Sequence, residues 1–280
     1  MSQIRYRRAG VAGKKTDEGG ISYGSVFQRG EGDLLRPLRP AHRGQESAGI
    51  SVYDGKVVRT HKAMGLVAEV FNNPRIEALG GPTGVGHVRY STTGESALKN
   101  SQPILVKYKE SSVAIAHNGN LVNAGKLKEE LEAEGEVFHS TSDTEVMARL
   151  FVRAMMVRED PAEAVREIMR KAVGSYSIVL LMGNTVIAAR DPLGIKPLCV
   201  GKTDTDVIVA SESAAIDTLN GKLVRDVRPG EMVVAEDGVV RFYQLCPPPM
   251  PRPLRHALHL LRPARAPGSP ATLLRTMTQK

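Results

Sequence analysis

A mixed α and β fold, with helices layered on the outside of sheets, is what this 280-residue sequence predicts. Three observations lead there. Strand-like alternation follows residue 46 and returns after residue 174, a block of amphipathic helices lies between, and no repeat period runs through the chain.

The elements can be justified in order. SAGISVYDGKVVRTHK (47–62) alternates apolar and polar residues around Asp54-Gly55, the signature of a hairpin. VAIAHNGNL (113–121) reads as a buried strand running into polar loop chemistry. NAGKLKEELEAEG (123–135) is an amphipathic helix stopped by Gly135. SDTEVMARLFVRAMM (142–156) opens on a Ser N-cap with Glu145 three residues later, the pattern of a capping box. DPAEAVREIMRKAVG (160–174) repeats the logic, with Asp160 as cap, Pro161 at the first position and Gly174 as the expected stop. SYSIVLLMGNTVIAARD (175–191) gives two strands around Gly183-Asn184, DVIVAS (206–211) a further strand, and GEMVVAEDGVVRFYQL (230–245) a pair turning at Asp237-Gly238.

Charge is unevenly spread. The chain carries +8 overall, with +5 in residues 1–43 and +6 in residues 246–280, which leaves the 202 residues between them at −3. A basic docking face on the folded body is not expected from this pattern, so neither nucleic acid nor a membrane surface is an expected partner of the body. Cys199 and Cys246 are the only cysteines, too few for a disulfide scaffold, a four-cysteine zinc site or an iron–sulfur cluster. No apolar run is long enough to span a bilayer, and MSQIRYRRAG is not followed by the apolar core of a signal segment. The cytoplasm is the expected compartment.

Five short segments carry the chemistry: HRGQESAGI (42–50), GHVRYSTTG (86–94), AHNGNLVN (116–123), STSDTEV (140–146) and RDPLGIKPL (190–198). In this order they resemble the glutaminase domain of the amidophosphoribosyltransferases over residues 42 to 245. The resemblance implies a four-layer αββα sandwich of the N-terminal-nucleophile hydrolase type, an α+β fold. It implies ammonia taken from glutamine for transfer to phosphoribosyl pyrophosphate, the opening step of purine synthesis. Glutamine is the implied partner, with homo-oligomers possible through the family fold. No cofactor is expected in this chain, although the family's transferase domain uses Mg.

The chemistry can be argued beside the resemblance. A glutaminase must hold an amino acid by both charged ends. Arg89 offers a forked guanidinium for the carboxylate, and Asp143 a carboxylate for the α-ammonium. Asn118 (side chain) and Gly119 (backbone N–H, approachable without a Cβ) fit an oxyanion hole. Arg43, Gly44, His87 and Thr92 are expected to shape the surrounding loops. Plainer readings stand next to these: Asp143 as a first-turn helix acid, Arg89 as a strand surface residue, Asn118-Gly119 as a turn, His87 and His117 as packed side chains, and RDPLGIKPL as a structural turn or interdomain contact.

In this family the nucleophile is an N-terminal Cys on a Gly-Ile/Val-x-Gly strand, its own amine acting as base. That Cys is missing here. Ser2 could be exposed by removal of Met1, but Gln3-Ile4-Arg5-Tyr6 lacks the glycine-bearing strand. LLRPLRPA (34–41) has no helical or strand period. The family's usual lead-in to HRGQES is YYGLYALQ, and TAC TAC GGC CTC TAC GCC CTG CAG read one base early spells Leu-Leu-Arg-Pro-Leu-Arg-Pro-Ala. The same shift turns Gly-Ile-Val-Gly into Arg-Tyr-Arg-Arg (5–8), and LLRPA (260–264) decodes to YFARP, which the family carries just beyond its glutaminase domain.

Three regions are therefore expected: an aberrant, partly frame-shifted segment 1–41, a glutaminase-type domain 42–245, and an aberrant or disordered Pro-rich basic tail 246–280. Nothing after Cys246 is acidic, so the phosphoribosyl pyrophosphate site of the family's second domain is not expected. The leading expectation is a glutaminase domain that grips glutamine but releases no ammonia. The alternatives are a glutamine-sensing pseudoenzyme and a nucleic-acid binder acting through its basic ends.

Overall fold

The structure is a computed structural model that describes residues 26–29, 46–71, 79–89 and 96–247. The LLRPLRPA stretch, Ser2, Arg43, Gly44 and Thr92 lie outside the described residues.

Two antiparallel sheets face each other. The first holds seven strands in the order β11-β9-β10-β1-β4-β2-β3, where β1 is Val26–Arg29, β2 Ser47–Tyr53, β3 Val58–Met64, β4 Thr83–Arg89, β9 Cys199–Lys202, β10 Val207–Ala210 and β11 Lys222–Asp226. The second holds six in the order β13-β12-β8-β7-β6-β5, where β5 is Ile104–Tyr108, β6 Ser111–Leu121, β7 Gly174–Met182, β8 Thr185–Arg190, β12 Glu231–Glu236 and β13 Val239–Gln244. The short helices α1 (Val67–Val70) and α5 (Ser213–Thr218) pack on the outer face of the first sheet, and α2 (Ala124–Ala133), α3 (Asp143–Arg158) and α4 (Pro161–Lys171) on the outer face of the second. This is the αββα order that the resemblance implied.

Three apolar cores separate the four layers, and strand alternation assigns every side chain to one of them. On β6, Val113 and Ile115 enter the core beneath the helices, while Ala114 and Ala116 enter the space between the sheets. His117 therefore continues the helix side and Asn118 the inter-sheet side. On β4, Val85 belongs to the inter-sheet core and Val88 to the outer one, so His87 and Arg89 face the opposite sheet.

Several local expectations hold. Asp160 caps α4 by accepting from the Ala162 N–H (2.8 Å), with Pro161 at the first position. Gly135 takes up φ +92° just past α2. Others need correction. Ser142 does cap α3, but Glu145 does not close the box. Its carboxylate accepts from His139 N, Ser140 N and the Ser140 hydroxyl, tying down the loop before the helix. Gly174 does not stop α4, which ends at Lys171 because the Asn123 side chain intervenes. Its amide donates to the Lys171 carbonyl and its oxygen accepts from Val173 N, both at 2.9 Å. Gly174 instead opens β7, where a Cβ would lie 2.2 Å from the Asn120 carbonyl. Strand β1 falls inside the stretch read as aberrant. It pairs with β4 on one side and β10 on the other, so the sheeted body includes residues upstream of residue 42.

Candidate glutamine site

The candidate site is built around the end of β6. Strand β5 pairs with β6 only as far as Ile104 opposite Ile115, so among the described residues no strand pairs with the rest of β6 on that side. Backbone groups at alternate residues point to the same edge of a strand. At His117 the N–H donates to the Gln102 side-chain oxygen (2.6 Å). At Leu121 the N–H donates to Asp143 Oδ2 (3.0 Å). Gly119 lies midway between them. Its φ is +147°, and an added Cβ would sit 2.0 Å from the Ser175 carbonyl, so only glycine fits.

Asp143 is the first residue of α3, where the helix dipole favours a carboxylate. Its Oδ1 lies 3.4 Å from His117 Nδ1. Burial alone would raise its pKa. The neighbouring His117 and the N–H groups of Leu121 and Thr144 outweigh that and hold the carboxyl below the usual range. Asp143 is thus charged, oriented and still partly open to solvent.

Arg89 closes β4, opposite Ser47 of β2, and is 6% exposed. Its guanidinium lies 3.8 Å from the Glu46 carboxylate, a partner within the RGQES segment that the sequence did not point to. Asn118 is buried on the same inter-sheet side. His87, also on that side, is 2% exposed, and neither ring nitrogen has a hydrogen-bond partner among the described residues. Burial pushes its pKa down to about 3, so it is a neutral packed ring rather than a base.

A loop unforeseen from sequence holds these pieces. Lys62 Nζ donates to the carbonyls of Ser101 (2.7 Å) and Pro103 (3.3 Å), and the Asn100 side chain bonds both ways with Thr141. Gln102 between them bonds β6, and its carbonyl lies so close to Gly49 that a Cβ there would approach it to 2.2 Å. The signal was the polar run Asn100-Ser101-Gln102-Pro103, whose chemistry becomes visible only when its partners are in place.

Neither cysteine belongs to the site. Cys199 is buried in the outer core of the first sheet, donates to the Ala210 carbonyl (3.3 Å), and burial pushes its thiol up to about 12. Cys246 packs against Met169 on the helix side of the second sheet. RDPLGIKPL is a turn held by its own side chains and tied to β7 and to residues 227–230. Asp191 is fully buried and accepts from the N–H groups of Leu193, Ile195 and Lys196, while Arg190 donates to the carbonyls of Gly194, Lys196 and Val227.

Comparison with known proteins bears on this geometry. Residues 87–218 match the family described as glutamine amidotransferase domain. The amidophosphoribosyltransferase of Methanocaldococcus jannaschii is 45% identical over 204 residues, covering 73% of this chain and 43% of that protein. That of Archaeoglobus fulgidus is 48% identical over 204 residues, covering 73% and 44%. The glutamine phosphoribosylpyrophosphate amidotransferase of B. subtilis, solved with ADP and GMP, superposes with a TM-score of 0.72 at 35% identity, covering 80% of this chain and 49% of that one. The chain thus spans less than half the length of these relatives.

Proposed function

We propose, on the premise that this chain belongs with the glutamine amidotransferase domains of the amidophosphoribosyltransferases, that its body binds free glutamine along the edge of β6 beyond the end of β5 without hydrolysing it. The carrying observation is that edge. The N–H groups of His117 and Leu121 are occupied by Gln102 and Asp143, and Gly119 is placed between them.

In this reading Asp143 receives the α-ammonium of glutamine and Arg89 its α-carboxylate. Asn118 and the Gly119 N–H face the side-chain amide oxygen, where negative charge would develop on attack. The forked guanidinium favours a planar carboxylate, and the low pKa of Asp143 keeps its charge throughout the physiological range. Gly119 is required because any side chain meets the β7 backbone.

Ammonia release needs a nucleophile at the amide carbon. Cys199 is on the far side of the first sheet with its proton held, and Cys246 lies on the helix side of the second, so neither serves. The frame-shifted reading of residues 5–8 recovers a Gly-Ile-Val-Gly segment, but Ile4 does not permit a Cys codon before it without a further change. In the intact gene the domain would supply ammonia to a phosphoribosyl acceptor as the first step of purine synthesis. Calorimetry with glutamine tests the binding half: heat saturating in the millimolar range or below is expected, and none sinks it. Ammonium released from glutamine at an enzyme-like rate would falsify the inactive half.

A further inference from the structure

We infer that His117, held by Gln102, is a positioning residue that aims the Asp143 carboxylate at an α-ammonium and so makes the site selective for amino acids over their deaminated analogues. The inference rests on the glutamine reading of the same site and adds the device that sets its selectivity.

His117 is the residue on β6 that touches both neighbours of the site. Its backbone N–H has lost a strand partner where β5 ends, and the buried Gln102 oxygen replaces it at 2.6 Å. This fixes the strand at the point where the imidazole leaves it. Gln102 is itself clamped, because Lys62 holds the carbonyls on either side of it and Gly49 leaves room for its own. The imidazole then points to the helix layer, where Nδ1 lies 3.4 Å from both Asp143 Oδ1 and the Thr144 hydroxyl.

The tautomer follows from the partners. Asp143 is an acceptor only, so the proton belongs on Nδ1, and Nε2 becomes a buried lone pair without a partner among the described residues. A proton on Nε2 would set two lone pairs against each other at Nδ1 and bury an unmet donor. With Nδ1 3.4 Å from Oδ1 and the Leu121 N–H donating to Oδ2 at 3.0 Å, the carboxylate faces a donor at each oxygen. Its plane cannot turn without losing one of them, which is what a directional ammonium contact requires.

The test compares glutamine with glutaramate, the same molecule without its α-amino group, by calorimetry. The protein should favour glutamine by about tenfold or more, as expected for a charge-assisted contact. His117→Phe keeps the ring volume and should erase most of that preference while leaving glutaramate binding within about twofold. Gln102→Leu, which spares the imidazole but frees the strand, should weaken the preference in the same direction. Equal loss of both ligands in both variants, or an unchanged preference, overturns the proposal. A second readout needs no ligand. Nitrogen-15 spectra of imidazole-labelled protein should place the His117 proton on Nδ1. A proton on Nε2 alone overturns the positioning role even if glutamine binds, whereas failure of the intact protein to bind either ligand, with the proton on Nδ1, removes the glutamine reading and leaves the grip on Asp143 standing.

Discussion

Gly119 shows how narrowly single residues are constrained at this site. Gly119→Ala sets a methyl 2.0 Å from the Ser175 carbonyl, so β6 must move away from β7. Glutamine affinity should fall by tenfold or more in calorimetry, because in the proposed pose the displaced N–H is the one that meets the amide oxygen. His87 carries a different signature. Its folded-state pKa of about 3 lies far below the ordinary value of 6.5, so the unfolded chain takes up a proton that the folded chain refuses. Stability is therefore fully present above about pH 6.5 and should fall by about 1.4 kcal/mol per pH unit as the pH drops toward 3. His87→Leu should flatten the dependence of unfolding midpoint on pH between about 4 and 6, and an unchanged slope would assign the proton uptake elsewhere. Arg89 and Asp143 were legible as candidates because their residue types match the two poles of an amino acid. Glu46 and Gln102 were not, because their importance lies in partners reached across the fold.

Elements here are joined by side chains standing in for missing backbone partners. Asn123 does this between α4 and β7, and Asn123→Ala should destabilise the protein by about 1–2 kcal/mol in urea unfolding, since it leaves the Lys171 carbonyl and the Val173 N–H unmet. The 190–198 turn depends on Asp191 in the same manner. Asp191→Ala removes the acceptor of the part-buried N–H groups of Leu193, Ile195 and Lys196 and of the buried N–H of Tyr176, and a loss of about 1–3 kcal/mol is expected. Were that loss below about 0.5 kcal/mol, water would have replaced the carboxylate and the turn would not rest on it. The long elements were readable from period and capping residues alone: the hairpin β2–β3, strand β6 and helices α2, α3 and α4 all fall where the sequence put them. The short ones were not. Strands β9 and β11 and helices α1 and α5 are four to six residues long, too short for a period to show, and they exist because a sheet edge or an apolar face next to them needs covering.

The whole molecule divides by charge as well as by fold. Its body is slightly acidic between basic ends, so RNA retention that appears only with residues 1–41 and 246–280 present, and fades steeply with salt, would favour the nucleic-acid alternative. We expect removal of residues 248–280 to leave glutamine affinity unchanged, since every contact named at the site lies upstream. We also expect resequencing of the gene to restore a Cys-Gly-Ile-Val-Gly start. What was written in the sequence by itself was the resemblance to glutamine amidotransferase domains, the layered αββα class and a candidate pair of charges for an amino acid, because these are carried by local patterns: alternation, caps and short motifs in order. What the tertiary structure alone decided was the machinery around Asp143. Gln102 meets His117 across 15 residues, Lys62 meets Ser101 across 39 and Asn100 meets Thr141 across 41. Hydrogen bonds over such separations leave no period in a sequence. They form only once two sheets and a helix terminus have closed on one strand edge.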